Sequence, residues 1–312
     1  MENFDTVIVT GACGHIGSRL IDSFHWEDTY PEKFNVNIIG VDNMLTQRYC
    51  SIFNLKSRIK FIEDDFMNID IPAGSIVVHL AAITDAAGSI KNKSQVEDIN
   101  IEQTKRFIDK CIESKVKRFI FPSSTSVYGV SADLVNEDDE RYENPQSPYA
   151  SSKLDIEKYL ESKKDNLEYI ILRFGTIFGC SKGMRFHTAI NKFCWQASLG
   201  VPITVWEENY EHVRPYLGLN DAVRAIKHSL KLDSSLCYTK YNVLTGNYQL
   251  KEIVDKIVHT LPDTKISMVH TPLLNQFSYH VDDRKFKSTG FESSDKLDIE
   301  IIKTLNLLKG IQ

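Results

Sequence analysis

Long apolar runs are missing from this chain of 312 residues. No stretch reaches the roughly 20 residues that a membrane-spanning helix requires. The N-terminal MENFDTVIVTGACGHIG has neither a basic start nor a small-residue cleavage site, so no signal peptide is expected. Cysteine is scarce: Cys13, Cys50, Cys111, Cys180, Cys194 and Cys237 stand apart, with no CxxC. That pattern points to reduced thiols and a cytoplasmic protein rather than a disulfide framework. The histidines show neither HxH nor HExxH spacing, so no metal is expected. A net charge of -5 argues against a nucleic-acid-binding surface. Repeats and low-complexity linkers are lacking too. With 42% hydrophobic and 25% charged residues, the chain has the profile of a globular protein. At about 150 residues per domain, two lobes are expected.

What is there is an alternation of short apolar strands with helical patterns. Thr6-Val7-Ile8-Val9, Val36 to Val41, Ile59 to Ile62, Ser75 to Leu80, Arg118 to Phe121 and Glu168 to Leu172 read as strands. A helix with Ile16, Leu20, Ile21 and Phe24 on one face follows the first strand. Gln95 to Ser114 and a segment from Ser147-Pro148 read as further helices. Such alternation builds βαβ units around a parallel sheet, whose ligands sit beyond the carboxyl ends of the strands. Thr10, Asp42, Asp65, His79, Ser123, Ser124 and Arg173 stand at those ends. Past Arg173 the pattern loosens. Helices are expected over Phe186 to Leu199, Asn220 to Leu232 and Leu250 to Leu261, with strands over 202–206, 241–243 and 266–269. The acidic run Glu137 to Glu140 reads as a solvated loop, since it has no turn glycines for a metal site.

Two clusters carry chemistry. Thr10-Gly11-Ala12-Cys13-Gly14-His15-Ile16-Gly17 joins the first strand to the first helix. Glycines there let a backbone approach a pyrophosphate, and the helix N-terminus offers N–H donors. Asp42 ends the second strand, where a carboxylate would accept from ribose hydroxyls and repel a 2′-phosphate; Asn43 follows rather than Arg, which favours NAD over NADP. Tyr149 and Lys153 lie four apart on one helix face, capped by Ser147 and Pro148. A tyrosine titrating near 10 becomes a base at neutral pH only with help, which a nearby ammonium and a nicotinamide cation would give. Ser123 to Gly129 after the fifth strand completes the set.

With these residues the chain resembles the extended short-chain dehydrogenase/reductase family, in its sugar-nucleotide epimerase/dehydratase branch, over essentially its whole length. The resemblance implies a Rossmann-like doubly wound parallel sheet with a smaller, interleaved α/β substrate lobe. The expected division is 1–174 plus about 218–245 for the NAD-binding domain, and 175–217 with 246–312 for the substrate lobe. It implies Ser124, Tyr149 and Lys153 as catalytic residues. It assigns NAD to Gly11, Gly14, His15, Ile16, Gly17, Asp42, Asn43, Asp65, Phe66, Leu80, Ala81, Ala82, Asn100, Tyr149 and Lys153. It assigns the substrate, a nucleoside-diphosphate sugar, to Thr84, Ser124, Thr125, Tyr149, Thr176, Arg185 and Arg214. The stretch Arg214 to Asp221 matches the family's RxYxxxxD, its Arg holding a diphosphate, and Asp282, Lys285, Gly290 and Phe291 match its closing pattern.

Departures bear on the substrate. Thr125-Ser126 replaces the Asp-Glu pair that drives water loss in the dehydratases, Thr176 replaces an Asn, and Gly218 replaces a His. No second Arg stands upstream of Asp282; Thr271 to Tyr279 offers Asn275 and Gln276 instead, so Arg185 or Lys182 is expected to assist Arg214. The implied activity is that of a UDP- or other NDP-hexose 4-epimerase of carbohydrate metabolism, working through a transient 4-keto intermediate. The alternative is an NDP-ketosugar reductase with the same triad. A non-catalytic dinucleotide sensor would have no need of that triad. The family's four-helix pairing implies a homodimer through the Gln95–Ser114 helix and the helix from Pro148. Ile101, Phe107, Ile108, Ile112, Leu154, Ile156, Tyr159 and Leu160 supply its apolar surface, with Ile156 pointing outward.

Overall fold

The computed structural model describes residues 4–24, 36–55, 59–84, 88–129, 134–270 and 278–310. Seven parallel strands form the central sheet, in the order Thr239–Val243, Glu168–Phe174, Arg118–Ser124, Ile76–His79, Thr6–Thr10, Asn37–Asp42 and Ile59–Glu63. The chain leaves Thr6–Thr10 towards one edge, then returns to place Ile76–His79 on its other side. That reversal opens a crevice at the carboxyl ends of these two strands, the position where open α/β sheets bind ligands.

The strands are buried on both faces because each alternate residue feeds a different core. Val7, Val9, Ile76, Val78, Ile120 and Ile170 pack with Leu20, Ile21, Val223 and Ile226 on one side. Ile8, Val77, Phe119, Phe121, Tyr169 and Ile171 pack with Phe107, Ile108, Ile156 and Leu160 on the other. The strand period of two thus fills two helix layers from one sheet.

Ile156 is a correction to the sequence reading: it is fully buried in the second core, as are Phe107, Ile108 and Leu160. The Pro148–Ser162 helix contacts both the sheet and the 93–113 helix beside it, so it needs apolar residues on more than one face. The 93–113 helix is also not uniform. It runs as an α-helix over Lys93–Glu97, a π-helix over Asp98–Gln103 and an α-helix again over Thr104–Glu113.

A further core gathers Phe178, Ile190, Phe193, Ile203, Val205, Tyr216, Ile253, Ile257, Ile301 and Leu305. It is framed by a three-stranded sheet, Gly246–Gln249, Val213–Gly218 and Thr176–Phe178, and by the parallel pair Ile203–Trp206 and Ile266–Val269. The helices Ala189–Ser198, Leu250–Thr260 and Leu297–Leu307 contribute to it, the last without a counterpart in the sequence reading, whereas Leu219–Ser229 packs on the central sheet. Among the described residues no helix is long and apolar enough to cross a membrane.

Candidate active site

The glycine-rich turn is built on contacts that only glycine permits. Gly11 has φ +68°, and a Cβ there would meet Ala81 N and Leu80 C at 2.7 Å. A Cβ on Gly17 would run into the Gly11 carbonyl. Gly14 N donates to Gly11 O (3.0 Å) and forms the N-cap of the His15–Ser23 helix, which no side chain caps. The first-turn N–H groups therefore face the crevice as an anion cradle. Asp42 lies directly on this turn: its Oδ2 accepts from Cys13 N and its Oδ1 from Met44 N, both at 2.9 Å. A carboxylate has about four lone-pair positions, so acceptor capacity remains for ribose hydroxyls. The donor set and the close backbone fit a dinucleotide.

Arg48 was not singled out from sequence, yet its charge bears on Asp42, Cys13 and His15. Only the fold brings this loop residue to the turn, so no local signal marked it. His15 is likewise more than a helix-start residue. Its Nδ1 pairs with Ser181 Oγ at 2.8 Å, and burial, then Arg185, Arg48 and His187, hold its imidazole at about 3. Asn43 is exposed, and its side chain closes a small turn by accepting from Leu45 N. Asp65 does the same for Met67 N at 2.9 Å, while Phe66 is buried edge-on against His79 and Phe107.

The next strand end is fixed by His79. Thr104 Oγ1 donates to Ile99 O, so it accepts from His79 Nε2 (3.3 Å). Nδ1 is then the acceptor for Thr10 Oγ1 (2.8 Å), which in turn accepts from Ala81 N. Burial, with the Lys153 charge, holds this imidazole at about 3, so it is a neutral scaffold residue. The Leu80-Ala81-Ala82 segment is thereby pinned beside Gly11. Asn100, inside the π-helical segment, clamps Ile83 just beyond it: its amide accepts from Ile83 N (2.8 Å) and donates to Ile83 O (2.9 Å) and Ser152 Oγ (3.3 Å). A π-bulge at such a site fits the general pattern for these distortions.

Ser124, Tyr149 and Lys153 converge. Ser147 Oγ accepts from Ala150 N and Pro148 occupies the first turn, which sets where the helix begins. Ser124 is hydrogen-bonded to the Tyr149 phenol and accepts from Ser126 N at 3.1 Å. Lys153 Nζ donates to Pro122 O (2.9 Å), 4.5 Å from the Phe121 ring centroid and 5.9 Å from that of Tyr149. Burial pushes the Tyr149 phenol up to about 12, against Ser124 and the charge of Arg185. Arg185, rather than Lys153, is the cation that opposes burial at the phenol. Burial also brings Lys153 down to about 8, and Glu157 opposes that.

On the substrate side, Thr125 is buried next to Ser124, and Tyr279 donates to its carbonyl at 3.2 Å. The Arg214 guanidinium lies 4.9 Å from the Tyr279 ring centroid. Thr176 starts the strand that pairs with Tyr216. Thr84 Oγ1 and Ser126 Oγ are buried with no partner among the described residues. Asn275 and Gln276 lie outside the described residues. Lys182 is not turned to this side; its Nζ donates to Phe53 O (2.8 Å) and pairs with Asp22. Glu137 is another correction: it is buried, and its carboxylate accepts from Asn242 N and Nδ2, both at 2.9 Å. Where the family has His, Gly218 leaves room for the Asp295 carboxylate, which a Cβ would strike.

Comparison with known proteins agrees with this fold. Residues 7–243 match the model of the NAD dependent epimerase/dehydratase family. An uncharacterized UDP-glucose epimerase, YtcB of Bacillus subtilis (strain 168), is 30% identical over 236 residues, covering 70% of this chain and 71% of that protein. Among solved structures, UDP-glucuronic acid 4-epimerase from Bacillus cereus, in complex with UDP-glucuronic acid and NAD, superimposes with a TM-score of 0.86. It is 22% identical and covers 98% of this chain and 100% of that one. UDP-N-acetylglucosamine 4-epimerase from Methanobrevibacter ruminantium M1 gives a TM-score of 0.84 at 22% identity, covering 98% of each chain. The chain belongs to the NAD-dependent epimerase/dehydratase family.

Proposed function

We propose that this protein is an NAD-dependent UDP-sugar 4-epimerase. The observation that carries the reading is the convergence of Ser124, Tyr149 and Lys153 on the crevice beside the uncapped glycine-rich helix start. The turn Gly11 to Gly17, with Asp42, holds the dinucleotide, and Leu80 to Ala82, positioned by His79 and Asn100, line its other side. NAD supplies the capacity to accept a hydride from the sugar C4 and to return it to the opposite face. Tyr149 accepts the proton of the C4 hydroxyl and later gives it back. Ser124 hydrogen-bonds the same oxygen, and Lys153 holds the nicotinamide ribose. Thr125 and Ser126 bring hydroxyls where dehydratases bring acids, so the ketosugar is returned to an alcohol rather than losing water.

Arg214 takes the diphosphate. Arg185, whose charge bears on the Tyr149 phenol, stands on the same side and assists Arg214. We divide the chain as 1–174 with about 218–245 for NAD, and 175–217 with 246–312 for the sugar, on the separate core of the second part. Six free thiols support a cytoplasmic setting. A homodimer through the 93–113 and 148–162 helices remains part of the proposal, on a face centred on Tyr159.

The experiment supplies the purified protein with UDP-glucuronic acid, UDP-glucose and UDP-N-acetylglucosamine in turn. Formation of the 4-epimer without net change in NADH is expected. Tyr149→Phe should lower kcat by about 10²- to 10⁴-fold and leave NAD binding intact. Stoichiometric NADH oxidation by a ketosugar, without epimer interconversion, would establish the reductase instead.

A further inference from the structure

Behind the catalytic pair lies a buried chain of charges that the reaction scheme does not use. Glu157, one helical turn beyond Lys153 and on the same face, is fully buried. Arg173, also fully buried, donates from Nε to both of its oxygens (3.1 Å each) and from Nη2 to Oε2 (2.6 Å). Arg173 also pairs with Glu143, whose carboxylate meets Lys240 at 3.2 Å; Lys240 meets Glu161 at the same distance. Glu157 accepts from the Ser123 hydroxyl as well.

These contacts join the strand that ends in Ser124 to the helix that carries Tyr149. Phe121 and Pro122 meet Lys153, Ser123 meets Glu157, and Ser124 meets Tyr149. Lys153 is faced by Glu157 and Tyr149 from its own helix and by His79 from the sheet. Arg173, Glu143, Lys240 and Glu161 stand behind Glu157, and Arg185 faces Tyr149 from the far side. Among these groups Glu157 is the anion that acts on Lys153. Replacing so buried a carboxylate by an apolar group would leave Arg173 with half its partners.

We propose that Glu157 is a positioning residue for the epimerase reaction: it presents a buried carboxylate one helical turn from Lys153 and ties the Ser123-Ser124 strand end to the catalytic helix. Burial alone would neutralise Lys153 within the working pH range, and the fixed anion one turn away offsets that. The proposal rests on the epimerase reading. Absence of epimerisation in the native protein would refute that reading, whereas the test below compares variants with an active native enzyme.

The pH dependence of kcat/KM is measured for the native protein, Glu157→Gln, Glu157→Asp and Glu143→Gln, with NAD binding and circular dichroism as controls of folding. Glu157→Gln keeps the shape and removes the charge; it should move the alkaline limb down by about one pH unit. Glu157→Asp keeps the charge and shortens the reach, so it should lower the rate and leave the limb in place. Glu143→Gln leaves Arg173 to draw more on Glu157, and should move the limb in the same direction by less. A folded Glu157→Gln with an unmoved limb overturns the proposal. Should that variant fail to fold, an unmoved limb in Glu143→Gln overturns it.

Discussion

At the scale of single residues, His79 shows how a polar group can be decisive without touching the reaction. Its place at a strand end was legible in the sequence, as were the glycines, Asp42 and the Tyr149–Lys153 pair, because each sits in a local pattern. Its tautomer was not legible, because Thr10 and Thr104 reach it from separate elements. The same holds for Arg48 and Glu157, whose partners are brought by the fold. The consequence for His79 is measurable. Unfolded, an imidazole takes up a proton near pH 6.5; in the fold it stays neutral down to about 3. The unfolded chain binds the extra proton across that window, so stability rises with pH there, by about 1.4 kcal/mol per unit for one group. His15, also held at about 3, contributes with the same sign. Urea unfolding at pH 7.5 and pH 5.5 should show the loss at the lower pH, and His79→Gln should reduce it by about 1.4 kcal/mol. An unchanged difference in that variant would assign the acid sensitivity to other groups.

At the scale of elements, periodicity located the helices but not what they pack against. The 93–113 pattern announced a helix; the π-turn within it answers Asn100, whose amide must meet both backbone groups of Ile83. The apolar surplus on the 148–162 helix was visible as well, but its destination was misread, since Ile156 faces the core. The face these helices leave partly exposed is polar-aromatic. The Tyr159 hydroxyl donates to Asp109 at 2.7 Å, and the ammonium groups of Lys105 and Lys163 lie 5.7 and 4.8 Å from its ring centroid. Two copies of such a patch could meet across a two-fold axis, each tyrosine on the other's cations. Light scattering over a dilution series should then give the mass of two chains, and Tyr159→Glu the mass of one with unfolding unchanged. A single-chain mass at every concentration would remove the homodimer. Ile156→Glu should unfold the subunit instead of splitting a dimer, since it buries an unpaired carboxylate.

At the scale of the whole molecule, the departure at Gly218 is read most clearly from the far end of the chain. Asp221, fully buried, accepts from Ser294 N (2.8 Å) and from Thr245 Oγ1 (2.5 Å). Asp295 answers by accepting from Asp221 N (3.0 Å) and Asn220 Nδ2 (3.1 Å), and Arg224 pairs with both carboxylates. This knot fastens the segment leading into the Leu297–Leu307 helix, whose Leu297, Ile301 and Leu305 complete the core behind Thr176–Phe178. The resemblance could mark Gly218 as unusual, but it could not say what fills the space, because Asp295 lies 77 positions further along the sequence. A side chain at 218 must displace the Asp295 carboxylate and leave Asp221 N and Asn220 without their acceptor. Gly218→His should therefore cost about 2–4 kcal/mol of stability, as expected for a clash that also breaks a buried hydrogen-bond network. The loss should begin locally, with amide exchange in 294–307 accelerating before the central sheet responds. Asp295→Ala in the same chain removes the clash but not the lost hydrogen bonds, so it should restore only part of the stability. A Gly218→His protein that melts as the native one does, with exchange in 294–307 unchanged, would show that the C-terminal helix is held without this knot.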